Sequence, residues 1–364
     1  MGRMNDLGAP MTVLYVEESG SQAQRLVFNG SGAGYFRVWV TGVLLTVATA
    51  GIYAAWAKVR RMRYFCENTS LGHACFAYHG TAQAILRGRM VALLFLAACV
   101  VSWQIAAAAG LLMSAVLAVL LPWLNWKTLQ FKLHNSSYRG IRFACGGTAQ
   151  RVYLVYLLMP AMTMFSLGML APFSHHRLRK FQLEESRFGA TYFSFHAGAG
   201  QYYILYAKAL ALGIAGLALI AYGFNGLFAE IGRAGGLRQA GNAAERQFLA
   251  FLFVVYLWMS LVTTVAGALL QKIVWNRTRL GGHQFRCEIS IGKTAWIAVS
   301  NLAAVIVTLG LFVPFAQVRM LRHRLESVTF IPAGSLDGYI ETSHGIVTAT
   351  GDALGETLEF DLSL

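Results

Sequence analysis

Seven apolar runs, near 36–57, 89–109, 110–126, 151–173, 201–224, 248–270 and 295–316, come close to or reach the roughly 20 residues that cross a hydrocarbon core. With 56% hydrophobic and 13% charged residues, the chain has more apolar surface than a water-soluble domain can bury, so it is an integral membrane protein. The run at 110–126 is short and abuts its predecessor, which predicts a tight helical hairpin. The first 35 residues hold no compact apolar core followed by a small-residue cleavage site, so the first run is expected to be retained.

The five cysteines, Cys66, Cys75, Cys99, Cys145 and Cys287, are odd in number and form no CxxC pair. That argues against a disulfide framework or a zinc ribbon and for a reduced, cytoplasm-facing environment. The net charge of +14 comes from basic residues that flank apolar segments instead of clustering in a soluble patch. The expected partner is therefore the membrane surface and its anionic headgroups, not nucleic acid. A homo-oligomer or a protein partner stays open.

Three stretches share one design: "TAGIYAAWAKVR" from Thr49, "SLGMLAPFSHHR" from Ser166 and "TLGLFVPFAQVR" from Thr308. They align Gly51, Gly168 and Gly310, then Trp56, Phe173 and Phe315, then Arg60, Arg177 and Arg319, with Arg63, Lys180 and Arg322 three residues on. At the first of these offsets Gly72 matches Gly189, Phe76 matches Phe193 and His79 matches His196. A second pair, "SSYRGIRFAC" and "TRLGGHQFRC", matches Gly140 with Gly282 and Cys145 with Cys287. The expectation is an internal duplication: a tail at 1–25, repeat units at 26–149 and 150–290, a partial third repeat at 291–324, and an acidic tail at 325–364.

Within a unit, turn formers such as Asn68-Thr69-Ser70, Asn135-Ser136-Ser137 and Asn276-Arg277-Thr278 lead into glycine and alternating aromatics, the signature of short strands entered by a turn. Their match to a glycosylation acceptor is secondary to that recurring turn chemistry. The predicted fold class is thus an all-α polytopic membrane protein with short β-hairpins between its helices. Four full spans are expected, plus three Gly-interrupted segments (36–57, 151–173, 295–316) that dip in and return. Seven full spans are the alternative, with the glycines allowing close helix packing. Positive charge favours the first reading, because seven spans would leave both faces strongly basic whereas re-entrant segments gather nearly all basic residues on one face. Both termini are then cytoplasmic.

The combination of "TAGIYAAWAKVRRMRYFCENTSLGHACFAYHG", "SSYRGIRF", "TRLGGHQF" and "TLGLFVPFAQVR" resembles the YjgN family of bacterial inner-membrane proteins, a family of unknown function, over about residues 26–330. The resemblance implies a multi-pass helical fold in the bacterial inner membrane and carries over no catalytic residue. Ala50 stands where leucine is usual and Ala55 where proline is usual.

Chemistry is sparse. No HExxH, Walker loop or GxSxG elbow is present, and "GSGAG" at 30–34 lacks the strand and acidic partner of a dinucleotide loop. His175 and His176, with His79, His196 and His283, could be imagined as ligands, but adjacent helical side chains diverge by about 100 degrees, so no metal and no cofactor is expected. Acids are almost absent from the apolar runs, which removes the usual intramembrane proton relay. Lys208 is the one clear charge within a run and is expected to snorkel. Candidate anion or headgroup contacts are Arg60, Arg63, Arg177, Lys180, Arg319, Arg322 and Lys208; interfacial anchoring beside an aromatic is the plainer role. The glycines and aromatics aligned above are structural. A transporter or channel for an anionic small molecule or lipid is the first functional expectation. A scaffold binding partner proteins through a cytoplasmic hairpin layer is the second, and an intramembrane enzyme is the weakest because no nucleophile–base pair emerges.

Overall fold

The computed structural model describes residues 23–238 and 240–334, so most of the acidic tail, from residue 335, lies outside the described residues. Short strands and helical excursions alternate strictly. β1 (Gln24–Phe28) leads through α1 (Gly32–Ala48) and α2 (Ala54–Glu67) to β2 (Thr69–Leu71). From β3 (Ala74–Tyr78), α3 (Ala82–Ile105) and α4 (Ala107–His134) run out and back to β4 (Ser136–Tyr138). β5 (Ile141–Cys145) continues into α5 (Ala149–Tyr153), a π-helical turn (Leu154–Leu158), α6 (Met159–Phe165) and α7 (Ala171–Glu184), then β6 (Ser186–Phe188). β7 (Thr191–Phe195) precedes α8 (Ala199–Gly223), α9 (Asn225–Ala234) and α10 (Gly241–Asn276), which return to β8 (Thr278–Leu280). β9 (His283–Cys287), α11 (Ile291–Val307), α12 (Val313–Glu326) and β10 (Val328–Ile331) complete the chain.

Every strand pairs antiparallel with its sequence neighbours, and β10 pairs back onto β1 through Gln24–Phe330 and Arg25–Thr329, closing a ten-stranded barrel. This corrects the expected all-α class with separate hairpins. The hairpins are where the aromatic alternation placed them, but isolated two-stranded hairpins are marginal, and here they join into one sheet. β1 crosses the expected boundary at 25/26, and β10 lies inside the segment taken as a tail.

Because the barrel is an up-and-down meander, successive connections alternate between its rims. All five helical excursions therefore leave from one rim, and all four two-residue turns lie on the other. Each excursion returns to the rim it left. Seven full spans would put alternate hairpins on opposite faces of a bilayer, where one barrel could not close. Four helices, α3, α4, α8 and α10, are long and apolar enough to cross a membrane.

One apolar cluster draws a side chain from every strand, in the cross-strand pairs Leu26–Leu71, Phe76–Tyr138, Phe143–Phe188, Phe193–Leu280 and Phe285–Phe330. In a closed barrel that cluster is the interior. Six of these ten side chains are buried and Phe76, Phe143, Phe193 and Phe285 are partly buried against them; at up to about 1.5–3 kcal/mol per fully buried large side chain, the cluster opposes the ordering cost of strands only three to five residues long. The alternate positions face out, and there Arg25, Arg142, Arg187, Arg279 and Arg286 are exposed. At the helix-to-strand junctions a hydroxyl back-bonds the last helical turn: Thr69 to Phe65 (2.7 Å), Ser136 to Lys132 (2.9 Å), Thr278 to Val274 (2.7 Å). Asn68 and Asn135 donate likewise to Tyr64 and Phe131, both at 2.8 Å.

The three short excursions, α1/α2, α5–α6/α7 and α11/α12, reverse at the aligned glycines. Gly51, Gly168 and Gly310 have φ of +95°, +87° and +93°, and the residues before them, Ala50, Leu167 and Leu309, also adopt positive φ near +50°. Each glycine amide closes the preceding helix on a carbonyl five residues back, at 2.7–2.8 Å. The hydroxyl that opens each motif then caps the next helix: Thr49 accepts from the Tyr53 amide (2.9 Å), Ser166 from Leu170 (3.1 Å) and Thr308 from Phe312 (3.0 Å). Local chemistry thus turns the chain three times in the same way. Of the glycines expected at the strand turns, Gly72, Gly140 and Gly189 have positive φ, whereas in the last turn Gly281 takes that role in place of Gly282.

Candidate functional site

The arms of the first short hairpin enclose a crevice of about 330 Å³. Val38, Trp39, Gly42, Val43, Thr46 and Val47 of α1 line one side and Ala54, Ala57, Lys58 and Arg61 of α2 the other, with Arg89 of α3 and Gln317 of α12 completing it. Gly42 lets the arms meet, since a Cβ there would sit 3.2 Å from that of Ala57. Lys58 and Arg61 are three residues apart and so project from one helix face. Buried Tyr35 donates to Gln317 Oε1 at 2.9 Å, with the Arg61 guanidinium beside it. The apolar end lies toward the Gly51 turn and the cationic end toward the barrel.

Three cations converge here without an acid. The acids among the described residues are Glu67, Glu184, Glu185, Glu230, Glu245, Glu288 and Glu326. Glu184, Glu185, Glu288 and Glu326 pair with Lys180, Arg151, Arg286 and Arg322. No described acid forms an ion pair with Lys58, Arg61 or Arg89. Lys58 and Arg61 are exposed at the mouth of the crevice and Arg89 is half-buried; partial burial first, and then Arg89, Arg61 and Lys132, lower the proton affinity of Lys58. An anion placed among these groups would relieve both like-charge repulsion and the missing counter-charge.

A second crevice, of about 300 Å³, lies between the arms of the next short hairpin, lined by Val155, Tyr156, Pro160, Thr163, Ala171, Ser174, His175 and Leu178. These are the positions reached from Val38, Trp39, Val43, Thr46, Ala54, Ala57, Lys58 and Arg61 by the offset that carries Gly51 onto Gly168. The cations are replaced by His175 and Leu178.

The sequence-predicted contacts are not gathered in one vestibule. Arg60 lies over the Tyr53 ring (5.5 Å), which in turn stacks on Trp56, and Arg177 lies over Phe173 (5.2 Å). Arg319 donates to Asn301 Oδ1 at 3.0 Å, and Arg322 donates to Gly30 O at 2.7 Å. Arg63 is exposed, Lys180 pairs with Glu184 at 3.7 Å, and Lys208 lies nine residues into α8 on an exposed face. Phe315 packs on Phe36 and fills the space that a Cβ on Gly32 would need. The helices that carry the three repeated arginines do not pack extensively on one another. Sequence reasoning missed Lys58, Arg61 and Arg89. The available signal was the second i, i+3 cation pair on α2, which the repeat pattern hides because the other copies lack it.

The histidines part company. His176 donates to Ala197 O at 2.9 Å, while His175 Nδ1 meets Tyr206 OH at 3.1 Å. His79 meets Ser137 Oγ at 2.8 Å, and His283 Nδ1 accepts from the Ala333 amide at 3.0 Å. Among the described residues no group of three or more His, Cys, Asp or Glu is placed to hold a metal.

The chain is similar to proteins named "Inner membrane protein YjgN". The one from Salmonella typhimurium LT2 is 29% identical over 143 residues, 39% of this chain and 36% of that protein. Those from Escherichia coli O157:H7 and K12 are 27% and 26% identical over 154 residues, 42% of this chain and 39% of each relative. The match thus spans well under half the length of these curated relatives. No solved structure matches. The model of a family described as bacterial proteins of unknown function, DUF898, matches residues 23–357, nearly the whole chain, and the chain belongs to that family.

Proposed function

We propose that this is a multi-pass inner-membrane protein that takes up an anionic amphiphile or solute from the cytoplasmic leaflet, with the barrel and both termini in the cytoplasm, and carries it between membrane environments. The observation that supports this best is the first crevice, where Lys58, Arg61 and Arg89 converge without an acid against an apolar wall. The cytoplasmic placement of the barrel rests on charge: the basic residues of the described chain concentrate on the barrel side, and only Arg233, Arg238 and Arg246 lie at the distal connection between α8 and α10. In this reading the short hairpins are re-entrant. α1 and α11, of 17 residues each, span about 25 Å at 1.5 Å per residue, short of a hydrocarbon core of about 30 Å. The tips of the second and third short hairpins are apolar and open, with Leu167 at 95% and Leu309 at 94% exposure, which suits hydrocarbon. We read the matched positions of the two crevices as an internal repeat in which one copy kept or gained charge.

The route does not run through the barrel, whose interior is filled by the ten apolar side chains described above. A scaffold that binds partners by strand addition needs a free edge, and closure of β1 on β10 removes it. What remains for that alternative is the arginine-studded outer wall.

Two experiments test the reading. Cys75 is exposed on the barrel, so an impermeant maleimide is expected to label it in inside-out vesicles and not in intact spheroplasts, with Cys75→Ser as control. Labelling in spheroplasts overturns the orientation. In proteoliposomes carrying a headgroup-fluorescent anionic lipid, the protein is expected to speed exchange between leaflets; no acceleration over empty vesicles overturns carriage.

A further inference from the structure

We propose that the first crevice is a one-lipid site for a phospholipid with an anionic headgroup, its phosphate held by Lys58, Arg61 and Arg89 and one acyl chain laid along Val38, Val43 and Val47. This deepens the function proposed above and rests on it for the placement of the hairpin in the membrane. Three features of the crevice select that ligand. Its volume of about 330 Å³ is too small for a folded partner and suits a headgroup with the first part of a chain. Its polarity is graded along its length: cations occur toward the barrel, and the α1 wall toward the Gly51 turn is apolar apart from Thr46. A free inorganic anion would leave that apolar end unfilled, whereas an uncharged lipid would leave the three cations without a counter-charge. A phosphodiester beside an acyl chain satisfies both ends. Arginine supplies planar paired donors to phosphate and lysine a point charge, so the set can surround phosphate oxygens.

The second crevice serves as an internal control, since it has the same wall positions and His175 and Leu178 in place of the cations. Trp39 lies in the wall of the first crevice, which provides a local reporter. In detergent-solubilised full-length protein, quenching of fluorescence by chain-brominated phosphatidylglycerol is measured in the parent and in Trp39→Phe; the difference isolates Trp39. Quenching of Trp39 by the brominated phosphatidylglycerol is expected at concentrations several-fold below those needed for brominated phosphatidylcholine. That preference should vanish in Lys58→Gln/Arg61→Gln/Arg89→Gln and persist in His175→Gln/Leu178→Gln. Should the triple variant fail to fold, Lys58→Arg/Arg61→Lys, which keeps the charge, is expected to retain the preference, and the single Arg61→Gln to reduce it. Equal quenching by the two lipids, or an unchanged preference in the glutamine variants, overturns the site. Millimolar inorganic phosphate is expected not to relieve the quenching; full relief would show a headgroup-only anion site and overturn the lipid assignment. Binding without leaflet exchange would leave this site standing and remove carriage, while loss of the binding preference in the triple variant with exchange unaffected would leave this site standing and route carriage elsewhere.

Discussion

The first and second crevices are lined by the same positions and differ in the residues that matter electrostatically. Val38 and Val155, Thr46 and Thr163, and Ala54 and Ala171 are identical pairs, and Trp39 and Tyr156 are both aromatic. Where the first has Lys58 and Arg61, the second has His175 and Leu178. Burial and then Arg179 lower the proton affinity of His175, so at neutral pH the second crevice carries no charge from its own wall. The residues shared by the three short hairpins, the turn glycines and the Arg60, Arg177 and Arg319 series, form the reversals and make contacts within their own hairpin. Residues that change between hairpins are the ones left to choose a ligand.

The largest test of that contrast is a transplant. His175→Lys with Leu178→Arg should give the second crevice an anionic-lipid preference and raise the number of bound phosphatidylglycerol molecules, counted by native mass spectrometry, from one to two. Interfacial cations contribute on the order of 1 kcal/mol each, so roughly a tenfold to thirtyfold gain is expected. An unchanged stoichiometry would mean that Arg89, supplied by α3, is indispensable.

The turns should respond alike where the crevices do not. A Cβ on Gly51, Gly168 or Gly310 meets nothing within 4 Å, so only the positive φ opposes a side chain. Alanine at each should cost about 1–2 kcal/mol, and leucine little more, read as lowered thermal stability of the solubilised protein. A cost confined to one glycine would break the equivalence of the hairpins. A smaller effect of opposite sign is expected just before these turns. Ala50→Gly and Leu167→Gly remove a side chain from left-handed backbone and should each stabilise by up to about 1 kcal/mol.

The weakest expected effect is on pH. Because its proton affinity is depressed, His175 stays neutral until the pH falls below the ordinary histidine range, about 6.5. Phosphatidylglycerol contacts at the second crevice, followed by quenching in a Trp39→Phe background with Tyr156→Trp, should therefore be flat between pH 8 and 7 and rise only in acid. The first crevice should hold constant throughout, and a rise at pH 7.5 would contradict the environment assigned to His175.

Much of the local architecture was legible. Glycine after Thr49, Ser166 and Thr308 announces a chain reversal because hydroxyl caps and left-handed backbone are short-range chemistry. Seven apolar runs announce membrane segments because the bilayer sets their length, and it was the distribution of positive charge, not length, that singled out four of them as full spans. The strand hairpins showed in the alternation of "CFAYHG" and "YFSFHAG". The candidate site was less visible: Lys58 and Arg61 share a helix face that any helical reading predicts, yet nothing in sequence brings Arg89 or Gln317 to them, since those come from α3 and α12. The repeated Arg60, Arg177 and Arg319 drew attention instead, and each of them is occupied locally.

By itself, then, the sequence determined the medium, the reversals and the strand-forming segments, all consequences of hydropathy and backbone preference within a few residues. Tertiary structure alone decided that ten strands of three to five residues close into one barrel. The reason is physical: a three-residue strand has no stability of its own, and its partner is fixed only when the helical excursions return to a common rim. The pairing of Gln24 with Phe330, which turns five helical hairpins into a one-sided molecule and places the first crevice beside that barrel, is set by all the intervening contacts together and is written in neither strand.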